Sequence, residues 1–332
     1  MISVITTVSC PTQSVKDLAE KLVRSDSSLI VIGDQKGPEA YPLPGCEFLS
    51  LDDQRQLPFE LARTLPTGHY ARKNVGYLCA FQRGSEPIYE TDDDNAPLES
   101  WQPRSLTVQA RTVHDPMWVN VYKFFTSDFI WPRGLPLDHV RNGHTDIKEA
   151  GGPLHEVRAP IQQGLADNSP DVDAVWRLLH DKEFTFERNP SVYLEPGTWC
   201  PFNSQSTWWW PDAYPLMYIP SFCSFRMCDI WRSFVAQRCL WELGHGLVFH
   251  SSEVRQDRNV HDLMRDFEDE IPGYRGNHRF ALVLERLTLK PGIDHTLDNL
   301  ARCYEVLIAA GFFPEKEMEL VKAWVHDVES VL

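Results

Sequence analysis

Residues 2–34, "ISVITTVSCPTQSVKDLAEKLVRSDSSLIVIGD", contain two strand-like runs on either side of a helical pattern. The runs at 2–9 and 28–34 are rich in β-branched and apolar residues, which is typical of strands buried on both faces. Between them, over residues 13–25, apolar side chains recur at helical spacing. The chain therefore opens with a β-α-β unit, which favours an α/β fold built on parallel strands.

The next segment repeats the alternation and ends in a run of carboxylates. Residues 72–84, "RKNVGYLCAFQRG", predict a helix that stops at Gly84, and "EPIYETDDDN" (86–95) predicts a strand that runs into an acidic loop. In a mostly parallel sheet, ligands bind at the carboxyl ends of the strands. Asp34 and Asp92–Asp94 both follow predicted strands, so the sequence places a candidate site there.

The second half of the chain is less regular. Residues 133–173 are rich in Gly, Pro and charged residues and predict a long functional loop, and the proline-rich aromatic stretch 199–220 predicts irregular structure. Residues 228–244 predict a helix with a broad apolar stripe. Residues 293–332 predict a helical hairpin that is broken at "GFFPE" (311–315).

Composition limits the classes of function. The 332 residues carry a formal net charge of −15 at pH 7, which disfavours nucleic acids and anionic membrane surfaces as partners. The eight cysteines are scattered without C-x-x-C pairs, as is typical of free thiols in a reducing compartment. No signal peptide and no apolar stretch of membrane-spanning length is found. We therefore expect a soluble, cytoplasmic protein.

The three consecutive aspartates, Asp92–Asp94, have two interpretations. Two aspartates one residue apart can direct carboxylates towards one hard cation, which keeps open positions for the oxygens of a diphosphate. Aspartates are also common in solvated turns, because their side chains accept hydrogen bonds from nearby backbone N–H groups. The residues alone leave both alternatives open, although the strand before them favours a site.

Several segments resemble the STELLO family of glycosyltransferases. They include "ITTVSCPT", "VIGDQKGP", "YARKNVGYLCAFQRGSEPIYETDDDN", "WPRGLPL" and "CDIWRSF", and the resemblance runs in order over most of residues 2 to 265. A more distant similarity is to the reversibly glycosylated polypeptides, which act as nucleotide-sugar mutases. The resemblance implies a GT-A fold, which is a Rossmann-like α/β domain with a mixed, mostly parallel sheet flanked by helices. We expect this domain to span residues 1–285, with a helical hairpin at 286–332 packed on it.

The resemblance also implies site residues. It implies that Thr6, Thr7, Asp34 and Arg72 bind the nucleotide, that Arg72, Lys73 and Asn74 engage its base or diphosphate, and that Arg255 and Arg258 close over the diphosphate. Asp93 is a further substrate-binding residue, and Asn203 and Gln205 bind the donor sugar. Mn²⁺ or Mg²⁺ is bound by Asp92, Asp94 and His250, for which His261 is a rival. The structural alternatives are strand capping for the threonines, surface charge for the late arginines and a structural role for a lone histidine. Cationic side chains at a helix N-terminus are disfavoured by the helix dipole. The position of Arg72 and Lys73 at the start of the predicted helix therefore favours an anionic ligand.

Asp229 has two interpretations that can coexist. It precedes the apolar stripe of a long helix, where Asp is a preferred N-cap. By resemblance to inverting GT-A enzymes, it is also the predicted catalytic base that takes a proton from the attacking hydroxyl.

Together these features predict a metal-dependent glycosyltransferase. It would move a sugar from a nucleoside-diphosphate sugar, with a UDP-sugar as the expected donor, to a hydroxyl group of a carbohydrate or glycoconjugate acceptor. One alternative is a nucleotide-sugar mutase or self-glycosylating protein, and another is a non-catalytic scaffold that organises other glycan synthases. Residues 134–170 are predicted to form a lid over the donor, because lids exclude water from a reactive glycosyl group.

Overall fold

The computed structural model of the chain describes residues 1–113, 117–143, 145, 151–180, 182–258 and 262–332. Its strands are β1 (Ile2–Thr6), β2 (Ser28–Ile32), β3 (Cys46–Leu49), β4 (Ile88–Thr91), β5 (Asn95–Pro97), β6 (Thr107–Val113), β7 (Gly151–Arg158), β8 (Ile161–Asp167), β9 (Ser191–Leu194), β10 (Ser206–Trp209) and β11 (Leu247–Gln256). Its α-helices are α1 (Gln13–Arg24), α2 (Leu51–Gln56), α3 (Glu60–Thr64), α4 (Lys73–Gln82), α5 (Leu137–Arg141), α6 (Ala174–His180), α7 (Cys228–Glu242), α8 (Leu263–Glu285), α9 (Thr296–Ala309) and α10 (Glu317–Val331).

The strands form one mixed sheet in the order β3-β2-β1-β4-β10-β8-β11-β9-β6-β7, and β5 also pairs with β11. The neighbouring strands β3, β2, β1 and β4 are all parallel to one another. Strand β10 is antiparallel to both of its neighbours, β4 and β8, and β11 is parallel to β8. The carboxyl ends of β1, β2, β4, β8 and β11 therefore meet at one edge, together with the start of β10. This confirms the predicted α/β class, a mostly parallel central sheet flanked by helices, and it is consistent with a Rossmann-like GT-A fold.

Elements with strong local patterns lie where the sequence predicts them. The opening β-α-β unit forms β1, α1 and β2, and the Thr12 hydroxyl caps α1 by accepting from Val15 N at 3.2 Å. The predicted helix at 72–84 is α4, and the helix at 228–244 is α7, which ends before Gly244 at a φ of 75°. The predicted hairpin is formed by α9 and α10.

The prediction of a long loop and lid at 134–170 is wrong for most of its length. Strand β8 is buried at every position in the middle of the sheet, and β7 pairs with β6. Because β8 is covered on both faces, it shows no alternation, and its two glutamines obscure the pattern. The Gln162 amide is satisfied internally, donating to the backbone oxygen of Ser105 at 2.9 Å. Residues 144 and 146–150 of the predicted lid lie outside the described residues.

The aromatic stretch at 199–220 is also more regular than predicted. Its centre is β10, a buried strand in which Trp208 and Trp209 donate from their indole nitrogens to Glu253 and Glu90, at 2.9 and 3.0 Å. The 23-residue helix α8 was not predicted, and it contains Pro272.

The C-terminal hairpin shares the core of the sheet domain. Trp324 is fully buried in the same hydrophobic cluster as α4 and α7, and its indole donates to Pro215 O at 2.9 Å. Asp327 accepts from the backbone N–H groups of Glu60 and Leu61, at 2.9 and 2.7 Å, and so caps α3. The proposed boundary at residue 285 therefore does not separate two cores. Among the described residues, no helix is long and apolar enough to cross a membrane.

Candidate active site

The acidic loop begins at the carboxyl end of β4. Oδ1 of Asp92 accepts hydrogen bonds from Lys73 Nζ at 2.9 Å and from the Tyr70 hydroxyl at 2.5 Å. The Lys73 side chain is fully buried, and its ammonium also donates to Thr91 O at 2.6 Å and to the Tyr70 oxygen at 2.8 Å. An ammonium has three protons, so all of them are used here. Lys73 therefore contacts the acidic loop, and it holds the loop instead of lying free for a ligand.

Asp93 fastens the loop to the first β-α turn. Its Oδ2 accepts from the Thr7 hydroxyl, and its backbone oxygen accepts from the Thr12 hydroxyl at 2.5 Å. Burial raises the pKa of Asp93. Thr6 instead donates to Ile32 O at 3.0 Å, which is the strand-capping alternative. The structure thus brings Thr7 and Asp93 together at the carboxyl ends of β1 and β4.

Asp94 is the most strongly perturbed carboxyl group of the loop. Its Oδ2 accepts from Gln256 Nε2 at 3.0 Å, which links the loop to the end of β11. Burial, together with the charges of Asp92 and Asp93, raises the pKa of Asp94 to about 7. Carboxylates that repel one another in this way are stabilised when a cation binds between them. Within the described ranges, however, no group of three or more His, Cys, Asp or Glu residues could hold a metal ion.

His250 does not join this loop, so its prediction as a metal ligand is wrong. Its Nδ1 lies 2.6 Å from the Ser191 hydroxyl and its Nε2 lies 2.9 Å from Gln162 Oε1, so both ring nitrogens have partners. Burial lowers its pKa well below the ordinary value. It lies six positions before Gln256 in β11, roughly 20 Å along an extended strand. Its rival His261 lies outside the described residues.

Asp34 lies at the carboxyl end of β2, as predicted, and organises the loop that leads to α4. Its two carboxylate oxygens accept from Gly68 N at 2.7 Å and from His69 N at 2.9 Å. The carboxylate therefore shapes the edge of the site through backbone contacts.

Arg72 and Asn74 do not face a ligand, and their predicted roles are wrong. The Arg72 side chain is buried and donates to Gln54 Oε1 at 2.9 Å and to Ala62 O at 3.0 Å, which joins α2 and α3. Asn74 forms a two-way pair with the backbone of Ile219, with both distances 2.8 Å. Their position before or within the first turn of α4 is explained by these internal partners and requires no anionic ligand.

Asp229 is part of a buried ion-pair network. Its two carboxylate oxygens accept from Nη1 and Nη2 of Arg133 at 3.0 and 2.9 Å. The same guanidinium donates from Nε to Asp171 at 2.8 Å, and Asn203 Nδ2 donates to Asp171 at 2.8 Å. Burial opposes the charge of Arg133, but Asp171 and Asp229 outweigh it and raise its pKa well above the ordinary value. Burial also opposes the charge of Asp171, yet Arg133 lowers the pKa of that carboxyl group.

The position of Asp229 contradicts the N-cap prediction, and the ion-pair network offers a structural alternative to the predicted catalytic base. Helix α7 begins at Cys228 without a side-chain cap, so Asp229 lies inside the first turn. A carboxylate whose two oxygens are held by a guanidinium is a poor proton acceptor, which favours a structural role for Asp229, and the catalytic base stays a prediction. The sequence reasoning missed Arg133 and Asp171 as its partners, although Arg133 is the arginine of "WPRGLPL".

Gly134, which follows Arg133, should not tolerate a side chain. Its φ is 101°, and an added Cβ would lie 2.6 Å from Ile230 Cγ2 and 2.9 Å from Pro201 Cβ. We expect Gly134→Ala to cost roughly 2 kcal/mol of unfolding free energy, because strain at positive φ adds to overpacking. Gly143→Ala, at a φ of 66° with open space around it, is the matched control and should cost less. Equal losses in urea unfolding would contradict the close-contact explanation.

Asn203 and Gln205 lie at the start of β10, beside the acidic loop. Oδ1 of Asn203 accepts from Gln205 N at 2.9 Å, and Gln205 O accepts from the Thr91 hydroxyl at 2.6 Å. The intervening Ser204 hydroxyl lies 2.5 Å from the Tyr70 hydroxyl. The predicted sugar-binding segment therefore does adjoin Asp92.

The two late arginines have different environments. Arg255 is exposed and pairs with Asp257 at 2.7 Å, which is the surface-charge alternative. Arg258 is mostly buried and pairs with Asp266 at 2.6 Å. Burial, and then the nearby charge of Arg226, lowers the pKa of Arg258.

Comparison with known proteins agrees with the resemblance seen in the sequence. The profile of the family described as "STELLO glycosyltransferases" matches residues 226–332. Two Arabidopsis thaliana proteins align with nearly the whole chain. "Probable glycosyltransferase STELLO1" is 28% identical over an alignment that covers 99% of the chain, and "Probable glycosyltransferase STELLO2" is 27% identical over 98% of it. The chain is similar to the STELLO glycosyltransferases over almost its whole length. It spans 44% of the length of each of these STELLO proteins.

The similarity to STELLO proteins reaches further than the motifs suggested. The quoted segments end near residue 265, whereas the family profile extends to residue 332. The hairpin of α9 and α10 is therefore part of the STELLO-like region. This agrees with its burial in the common core.

Proposed function

We propose that the chain is a metal-dependent glycosyltransferase that moves a sugar from a nucleoside-diphosphate sugar to a hydroxyl group of a carbohydrate or glycoconjugate acceptor. The observation that carries this proposal is the cluster of Asp92, Asp93 and Asp94 at the carboxyl end of β4. In an open α/β sheet this edge is where ligands bind. The relationship to proteins named glycosyltransferases supports the reaction class.

The residues around the loop suit a nucleotide and a cation. Asp92 and Asp94 are hard oxygen donors. The raised pKa of Asp94 reflects burial first and then the negative charge of Asp92 and Asp93, which a divalent ion would offset. Asp92 and Asp94 would hold Mn²⁺ or Mg²⁺, and the ion would supply charge stabilisation to the departing diphosphate. Its remaining ligands would be phosphate and water oxygens, in keeping with the small number of protein ligands that Mg²⁺ commonly uses.

The chain's own residues would orient the donor. Thr7 and Asp93 join the ends of β1 and β4, and Asp34 fixes the loop at Gly68 and His69. The Gln205 side-chain amide makes no hydrogen bond within the described residues, so it is available to a sugar hydroxyl. We expect a UDP-sugar as donor.

Thermal unfolding tests this proposal. We expect UDP and UDP-sugars to raise Tm only when Mn²⁺ or Mg²⁺ is present. A ligand at a hundred times its Kd adds roughly 2.7 kcal/mol of stability, which for a domain of this size is a shift of roughly 5 °C. A chelator should abolish the shift. A screen of nucleoside diphosphates and their sugars that gave no metal-dependent shift would contradict the proposal.

A further inference from the structure

A cleft of about 880 Å³ lies next to the candidate active site. Its walls come from the loop before α4, the segment before α7, the start of α8 and the turn of the hairpin. The lining residues are Gly68, His69, Ser221, Phe222, Cys223, Phe225, Asp262, Arg265, Asp266, Asp269, Pro314 and Lys316. This volume is in the range of small-molecule binding sites. Its α8 and hairpin walls come from the segment that the STELLO profile matches.

An aromatic contact connects the cleft to the acidic loop. The ring of Phe225, in the cleft wall, meets the ring of Tyr70 edge to face with centroids 6.0 Å apart. The Tyr70 hydroxyl in turn donates to Asp92. A molecule in the cleft would therefore be separated from Asp92 by two aromatic side chains, Phe225 and Tyr70.

The cleft presents an aromatic ring to solvent. Phe225 lines the cleft and is 55% exposed. Phe222 also lines the cleft, and Lys316 Nζ lies 3.7 Å from its ring centroid. The face of an aromatic ring carries partial negative charge and attracts the polarised C–H groups of a sugar ring.

Polar groups with unused hydrogen-bonding capacity surround these rings. The Asp269 carboxylate and the Arg265 guanidinium line the cleft and have no partner among the residues that the structure describes. His69 Nδ1 accepts from Ala71 N at 3.0 Å, and burial lowers its pKa, so the neutral ring carries its proton on Nε2. The cleft thus offers both donors and acceptors.

We propose that this cleft is the acceptor site and that it binds a neutral oligosaccharide. Sugar hydroxyls both donate and accept hydrogen bonds, which suits the mixed lining, and the exposed ring of Phe225 suits the apolar face of a pyranose. Asp266 is paired with Arg258, and Asp262 and Asp269 balance Arg265 and Lys316, so the lining has no excess of positive charge that would attract an anionic polymer. The inference rests on the proposed function, because it takes the acidic loop as the donor site.

Binding of neutral hexasaccharides to the full chain tests the inference. The probes are cellohexaose, maltohexaose, xylohexaose and mannohexaose, observed by saturation-transfer NMR and titrated by calorimetry. We expect at least one of them to bind, and Phe225→Ala to weaken its Kd about 5-fold or more, which corresponds to about 1 kcal/mol. Asp269→Asn should weaken binding in the same direction, because it removes an anionic acceptor.

Phe129→Ala is the matched control. Phe129 is 58% exposed and lies outside the cleft lining, so its replacement should leave hexasaccharide binding unchanged. UDP with Mn²⁺ should raise Tm equally in the parent and in all three variants. Saturating UDP should not displace the hexasaccharide.

Three results would overturn the acceptor site. They are the absence of binding by all four probes, equal Kd values for the parent and Phe225→Ala, and displacement of the probe by UDP, which would make the cleft a nucleoside site. Failure of the proposed function looks different. In that case the metal-dependent shift with UDP is missing from the parent, whereas hexasaccharide binding and its loss in Phe225→Ala persist.

Discussion

We expect Asp94→Asn to abolish the Mn²⁺-dependent shift in Tm with UDP while leaving the fold intact. The side chain is nearly isosteric, and the amide oxygen can still accept the hydrogen bond from Gln256. The change removes one negative charge from a cluster in which burial, and then the charges of Asp92 and Asp93, already raise the pKa of Asp94. The metal-free variant should therefore be at least as stable as the parent at neutral pH. Sugar transfer should fall by a factor on the order of 10³, because the charge of the leaving diphosphate is no longer balanced.

The matched control for Asp94 is Asp138→Asn. Asp138 lies on α5, its side chain is 84% exposed, and it pairs only at the surface with Arg141. Both the Tm and the Mn²⁺-dependent shift should match those of the parent, since exposed ion pairs contribute little to stability. If Asp94→Asn kept the full metal-dependent shift, Asp94 would not be a metal ligand. Loss of the shift in both variants would mean that metal-dependent binding depends on the overall negative charge of the protein and not on the Asp94 carboxylate.

Local signals were sufficient for the parts of the fold that are close in sequence. Strands β1 and β2, helix α1 between them and the acidic loop after β4 follow from apolar periodicity and from turn residues. The candidate site at the strand ends follows from topology alone, since parallel strands bring their carboxyl ends to one edge. Asp34, Thr7 and Asp93 accordingly lie near the expected edge.

Long-range pairing explains what the sequence could not provide. Arg133 and Asp229 are 96 residues apart in the sequence. No local sequence pattern indicates that two charged residues this far apart form a buried ion pair. His250 ends an apolar run as a ligand would, but its partners Ser191 and Gln162 come from two other strands. Strand β8 could not be predicted for a related reason. It is buried on both faces inside the sheet, so its sequence lacks the alternation of apolar and polar residues by which half-buried strands are recognised.

The ion-pair network makes Asp229→Asn a test of structure against catalysis. Because Arg133 holds both oxygens of Asp229 in a buried site, we expect the variant to lose about 3 kcal/mol of unfolding free energy. That is the lower end of the range for removing one partner of a buried pair, since Asp171 still compensates part of the Arg133 charge. Urea unfolding measures this loss. The rate of sugar transfer per folded molecule should change little.

A double-mutant cycle with Arg133→Gln separates the pair from other effects. Once the guanidinium is gone, Asp229 is a buried carboxylate without its cation, so Asp229→Asn in that background should cost nothing or should stabilise the chain. The double variant should therefore cost clearly less than the sum of the two single variants. If Asp229 is instead the general base, Asp229→Asn keeps the parent's stability and loses on the order of 10²–10⁴ in rate, because an amide cannot accept the proton of the attacking hydroxyl. The two roles therefore predict opposite results: with the ion pair stability falls and the rate is kept, and with the general base stability is kept and the rate falls.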